Sequence, residues 1–215
     1  DQMNKFPLIL VTSNWVKDVY VRDGVNPGLI EVLPVGLDME TFRPRKMTAK
    51  KVESIRDTWN IGRDAILILT VGGDAASKGG REVMRALARI DSQVPDWHYL
   101  CKIWPQERTI KQTNSDLALA RDLGIADKVT FAMVEMSRNV MPYLFNACDI
   151  YAGPSRLEGF GMPHVEASSS EKPVIAVEGM GFRDTLVHGK TAYLARAEKQ
   201  NVIKSAVLGR ESGYP

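Results

Sequence analysis

The stretch AILILTVGGDAASKGG, residues 65–80, decides the fold. Its first seven residues are apolar or β-branched, with no polar alternation. A strand with one face in water alternates in polarity, whereas an uninterrupted run is buried on both faces, as in a parallel sheet covered by helices on either side. Two glycines, an acid and a lysine then lead into GGREVMRALARI, which has the apolar spacing of a helix. Strand, glycine-rich turn and helix in this order form the repeating unit of an α/β protein.

The pattern continues in both directions. Upstream, FPLILVT (6–12) reads as a strand, Ser13 is placed to cap a helix through WVKDVYVRDG that ends at Gly24, and LIEVLPVG (29–36) reads as a second strand. A helix is expected through MTAKKVESIRDTWN. Downstream, the strands WHYLCKIW, KVTFAMV, IYAGP, PVIAV and TAYLAR are separated by helical QTNSDLALARDLG, MPYLFNACD, MPHVEASSS and a short FRDTLVHG. QNVIKSAVLG is expected to close the chain as a helix. Strands separated by helices of about 10–15 residues predict βαβ units and a Rossmann-like, doubly wound parallel sheet. Polarity rises over residues 38–60, which places a main domain at 36–215 and makes 1–35 the end of a preceding unit and its linker.

Composition narrows the function. The 215 residues are 44% hydrophobic and 25% charged, the balance of a soluble globular protein able to bury a large core. Twenty-eight basic against 26 acidic residues give a net charge of +2, which argues against a nucleic-acid partner. No apolar run approaches the roughly 20 residues that span a bilayer, and the opening residues lack the basic leader of a signal peptide. Cys101 and Cys148 are far apart and read as reduced, packed thiols of a cytoplasmic protein. His98, His164 and His188 do not cluster, so no metal site is expected.

Ligands of open parallel sheets bind beyond the carboxyl ends of the strands. Three loops there are rich in glycine or charge: 72–80, 132–139 and 153–161. In the first, Gly72 and Gly73 let backbone amides approach an anion and Lys78 adds a full positive charge, although neither a Walker A loop nor GxGxxG is present. The third runs into EGFGMPHVE, residues 158–166. Pro163 is suited to the first turn of a helix, so Gly159, Phe160 and Gly161 form a loop with outward amides, and Glu158 and Glu166 flank the helix start at different depths. One acid for a sugar, one for a ribose and a phosphate between them is the ligand this suits. Glycosidase carboxylates instead face each other about 5–9.5 Å apart. His164 has no evident acid or serine partner and reads as a packing residue.

Glu158 to Glu166, within PSRLEGFGMPHVEASSSEKPVIA, resembles the E-x7-E signature of the retaining glycosyltransferases of family 4, also called group 1. TSNWVKDVYVRDGV resembles the end of that family's N-terminal domain, VLPVGLDMETFRP its interdomain linker, LTVGGDAASKGG its phosphate loop, and NACDIYAGPS the segment ahead of the signature. The resemblance implies a GT-B fold, of which this chain is the C-terminal half with the end of an N-terminal, acceptor-binding domain. It also implies transfer of a hexosyl group from a nucleotide-diphosphate sugar to a glycan or lipid acceptor, with retention and without a cofactor or metal. A full-length enzyme of this kind would work in the cytoplasm with peripheral membrane contact. By the same resemblance Lys78 holds the donor diphosphate, Glu158 and the 159–161 amides hold the sugar and phosphate, Glu166 binds the ribose, and Met133, Val134 and Glu135 edge the base. The family commonly carries Arg where this chain has Gly73, with Arg81 or Arg156 as candidates to compensate; it also has Glu where this chain has Asp184. Two other readings stay open: a non-catalytic nucleotide-sugar-binding module and a sugar-nucleotide epimerase of the same architecture.

Overall fold

Two parallel sheets organise the described residues, 2–197 with segments 201–204 and 211–214, in the computed structural model. The smaller one comes first. Strand β1 (Ile9–Val11) and strand β2 (Ile30–Val32) pair in parallel, joined through helix α1 (Asn14–Arg22). Ser13 caps α1 as its sequence position predicts: the Oγ accepts from the Val16 amide at 3.2 Å. Ile9, Val11, Val25 and Ile30 form a separate small core there. The other side of this unit leaves Leu8, Leu10 and Leu33 exposed.

The larger sheet follows helix α2 (Ala49–Asp57). In chain order it contains β3 (Ile66–Val71), α3 (Gly80–Ile90), β4 (Trp97–Ile103), α4 (Glu107–Asp122), β5 (Val129–Met133), α5 (Met141–Ala147) and β6 (Ile150–Ala152). It ends with α6 (Met162–Ser169), β7 (Val174–Val177), α7 (Phe182–Thr185) and β8 (Tyr193–Ala195). All six strands are parallel, in the order β5-β4-β3-β6-β7-β8. The chain therefore builds outward from β3 to β5, returns to the other side of β3, and builds outward again to β8. This is the doubly wound, Rossmann-like arrangement, and the reversal opens a crevice between β3 and β6.

The uninterrupted apolar run of β3 has the expected cause. Leu67, Leu69 and Leu100 face one core with Phe145 of α5 and Ala167 of α6. Ile68, Tyr99 and Cys101 face another with Val83 and Met84 of α3. Leu67 and Leu69 are fully buried, each stabilising the fold by roughly 2 kcal/mol. Cys101 and Cys148 are free and buried, and the loss of water around each pushes its thiol up to about 12.

Two elements differ from the sequence reading. Helix α4 begins at Glu107, five residues before the QTNSDLALARDLG pattern. Over its first ten residues it turns polar residues inward: Thr109, Thr113 and Asp116 are buried while Ile110 is exposed, so hydrophobic spacing could not reveal its start. The expected terminal helix over 200–209 is also corrected where it is described. Strand β9 (Asn201–Lys204) pairs antiparallel with β10 (Glu211–Tyr214), in keeping with the β-branched pair Val202 and Ile203. Residues 198–200 and 205–210 lie outside the described residues.

Candidate functional site

The two glycine-rich loops meet at the crevice. Beyond β3, Gly72 continues the ladder, its amide donating to the Lys102 carbonyl at 3.0 Å. The loop then folds back so that the Lys78 stem crosses Gly72; a Cβ there would stand 2.3 Å from Lys78 Cγ. Gly79 has φ +76°, and a Cβ on it would stand 2.2 Å from the Pro154 carbonyl oxygen, so only glycine lets the loops approach this closely. The Arg156 amide donates to Ser77 O at 2.9 Å and its Nε donates to Ala76 O at 3.1 Å, tying the β6 loop to the β3 loop. A cleft of about 830 Å³ opens beside this junction, with Gly72, Gly73, Lys78, Trp104, Arg156 and Pro163 in its wall.

Helix α6 begins as its sequence requires, with Pro163 in the first turn and Gly161 at the cap with φ +86°. Among the described residues, the amides of Gly159, Phe160, Gly161 and Met162 donate to no protein acceptor. Gly161 and Met162 belong to the cap and first residue of the helix, Gly159 and Phe160 to the loop that leads into it, and free amides at such a helix entry attract an anion. The loop is braced from behind. The Gly181 amide donates to Glu158 O at 3.0 Å, and Phe182 packs so near Gly161 that a Cβ there would stand 2.6 Å from its ring.

Lys78 and Glu158, from the two loops, form an ion pair through Nζ and Oε1, with side chains only 21% and 12% exposed. The positive charge expected to face a phosphate is thus held by the carboxylate expected to face a sugar. Glu166 lies in the second turn of α6, half-buried. Burial raises its carboxyl to about 7 against the opposing field of Arg138. Met133 ends β5 and Val134 and Glu135 follow it; all three are exposed, three strand positions away from β6, or about 14 Å along the carboxyl edge.

His164 is a packing residue here. Its ring lies 5.0 Å from that of Tyr151 and 4.5 Å from that of Phe182. Nε2 donates to the Gly153 carbonyl at 2.6 Å, which leaves Nδ1 as the unprotonated nitrogen. Burial lowers the ring's pKa to about 4.

Arg81 and Arg156 line the same cleft as Gly73 and Lys78, each paired with an acid. The Arg81 Nε pairs with buried Asp116 at 2.5 Å, and Arg156 pairs with Glu82. Gly73 itself faces open space, with nothing within 4 Å of a Cβ.

Residues 51–208 match the family described as glycosyl transferases group 1, more than half of the 215-residue chain. The chain belongs to this family. The group 1 chain is 30% identical over 194 residues to a D-inositol 3-phosphate glycosyltransferase of Mycolicibacterium gilvum, which takes in 89% of this chain and 41% of the relative. It therefore spans less than half of that curated relative. Its fold recurs in a glycosyltransferase from Rickettsia africae, with TM-score 0.80, 21% identity, and coverage of 91% of this chain and 51% of the other. It recurs also in Anabaena HepE in complex with UDP and glucose, with TM-score 0.78, 20% identity, and coverage of 90% and 50%. The described sheet and helices have the architecture of the C-terminal half of a GT-B fold.

Sequence reasoning overlooked Lys102 and Arg138 at this group 1 site, and it noted Asp184 without the contact that Asp184 makes. Lys102 on β4 is buried at the carboxyl edge; its signal, one lysine inside the apolar WHYLCKIW, was visible. Arg138 acts on Glu166 from the loop after β5, and its proximity had no local signal. Asp184 accepts from the Asn14 amide at 2.6 Å and from Asn14 Nδ2 at 3.3 Å, locking α1 to α7.

Proposed function

We propose that this chain is the donor-binding half of a retaining glycosyltransferase, which transfers a hexosyl group from a nucleotide-diphosphate sugar to a glycan or lipid acceptor. The observation that carries the reading is the run of four unpartnered amides, 159–162, beside the Lys78–Glu158 pair at the β3–β6 crevice. The helix start and Lys78 would hold the diphosphate, and their fixed charges would stabilise it as it leaves the anomeric carbon. Glu158, released from Lys78, would accept from sugar hydroxyls, and Glu166 would accept from the ribose. The bond from the anomeric carbon to phosphate oxygen breaks as the bond to acceptor oxygen forms, and the acceptor proton leaves with the diphosphate.

Residues 1–35 would be the end of an acceptor-binding domain. The exposed Leu8, Leu10 and Leu33 of the β1–β2 unit support this, because apolar side chains on one sheet face normally meet another layer. A UDP-type donor is supported by the fold shared with HepE, whose complex holds UDP and glucose. No divalent metal is required, since the cationic groups belong to the protein. A cytoplasmic location suits the two buried thiols; no helix among the described residues is long and apolar enough to cross a membrane.

The lack of a side-chain cation at Gly73, in open space beside the phosphate loop, favours one second reading: a nucleotide-sugar-binding module without turnover. Calorimetry with UDP, GDP and ADP and their sugars tests the main one. Binding of one diphosphate series, unaffected by a chelator, is the expected result, and indifference to all of them would end it. Turnover after the chain is joined to a complete acceptor domain separates enzyme from module.

A further inference from the structure

Lys102 is a buried basic residue at this edge that the proposed donor site leaves unused. It lies on β4 in register with Val71 of β3 and Ala132 of β5, and in a parallel ladder such partners point to the same face. Both neighbours are apolar core residues. Lys102 is 5% exposed, and among the described residues its ammonium has no hydrogen-bond or ion-pair partner. Trp104, two residues on, offers its ring at 5.7 Å. Glu135 is the acid whose field reaches it, and burial disfavours its charged form. The stem is buried while the ammonium reaches the carboxyl edge of the sheet, where an anion that paired with it would offset its partial loss of water.

The ladder continues past Lys102 toward the phosphate loop. The Gly72 amide donates to Lys102 O at 3.0 Å, and the Trp104 amide donates to Gly73 O at 3.2 Å. Gly73 lies in the bend two residues after Val71, the β3 partner of Lys102, and is tied to Trp104 on the Lys102 strand. That is where a side chain is missing and space is open.

We propose that Lys102, whose ammonium lies over the ring of the cleft-lining Trp104, is a second phosphate-binding cation at the margin of this cleft, taking one phosphate of a nucleoside diphosphate on the side where Gly73 provides no charge. The assignment rests on the donor-site reading above and adds a residue to it. A phosphate would satisfy the ammonium at the point where the base-side loop, 133–135, gives way to the diphosphate loop, 72–78.

Titration calorimetry of the full chain with UDP, GDP and ADP, and with uridine, guanosine and adenosine, tests it. Lys102→Met is expected to weaken the preferred diphosphate about ten- to a hundredfold, the value of a hydrogen bond to a charged group. The matching nucleoside should change by no more than about threefold, since only the phosphate contact is lost. Adding Gly73→Arg to Lys102→Met is expected to recover diphosphate binding. If the methionine variant does not fold, Lys102→Gln carries the same expectation. Unchanged diphosphate affinity overturns the proposal, and so does an equal loss of nucleoside, which would assign the lysine to the base or to the fold. Failure of the unaltered chain to bind any diphosphate would overturn the donor-site reading as well.

Discussion

Lys78 and Glu158 are 80 residues apart in sequence and form an ion pair across the β3–β6 crevice. Each has a second use in the proposed reaction: a diphosphate that enters would compete with Glu158 for Lys78, and the freed carboxylate would turn to the sugar.

Removing one member leaves the other part-buried and unpaired. Glu158→Ala and Lys78→Met are each expected to cost about 2 kcal/mol in urea unfolding, and the double variant less than the sum. Binding should separate the two. Glu158→Gln is expected to keep or improve affinity for a sugar-free nucleoside diphosphate while losing the preference for its sugar, whereas Lys78→Met should weaken both. Equal losses for Glu158→Gln on both ligands would contradict the competition.

Residue 73 can take a side chain, and residue 79 cannot. Gly73→Arg meets no atom within 4 Å at its Cβ; the melting temperature should stay within about 2 °C, as for other unobstructed surface changes. Donor affinity should rise. Gly79→Ala combines φ +76° with a Cβ 2.2 Å from the Pro154 oxygen, and is expected to lose about 2 kcal/mol or more. Thermal unfolding of the two variants side by side checks the contrast.

Glu166 should make donor binding depend on pH. Its folded carboxyl is raised from 4.5 to about 7. The folded state thus retains a proton that the unfolded state releases, so this group's contribution to stability falls as pH rises from 4.5 through about 7. Ribose hydroxyls favour the ionised form. Affinity for a nucleotide sugar, whose phosphates are both esterified, is therefore expected to rise between pH 6 and 8 by up to about tenfold. In Glu166→Gln the affinity should be low and flat over that range. A pH-dependent Gln variant would assign the titration elsewhere.

His164 should affect folding and leave proton transfer untouched. Lowered from 6.5 to about 4, it is neutral in the fold. Its contribution is present above pH 6.5 and is lost as pH falls toward 4, where the unfolded ring takes up a proton first. His164→Ala removes the donation to Gly153 O and leaves a cavity, at a cost of roughly 3 kcal/mol. Where the variant remains folded, the pH profile of transfer by a complete enzyme is expected to match the unaltered one.

By itself the sequence determined the alternation of strands and helices, the burial of β3 on both faces, the cap at Ser13 and the entry to α6 at Pro163. Each of these is written in neighbours one to four residues apart, where side-chain period and backbone φ act directly. The tertiary structure alone decided that Lys78 meets Glu158, that Arg81 and Arg156 each pair with an acid, that Asp184 holds α1, and that the polar stripe of α4 faces inward. It also decided that Lys102, in register with Val71 of β3, has no hydrogen-bond or ion-pair partner among the described residues. These relationships arise where the chain reverses at β3 and brings distant loops to one edge; no local period records which charges meet there, because burial and distance are set only once the sheet order is fixed.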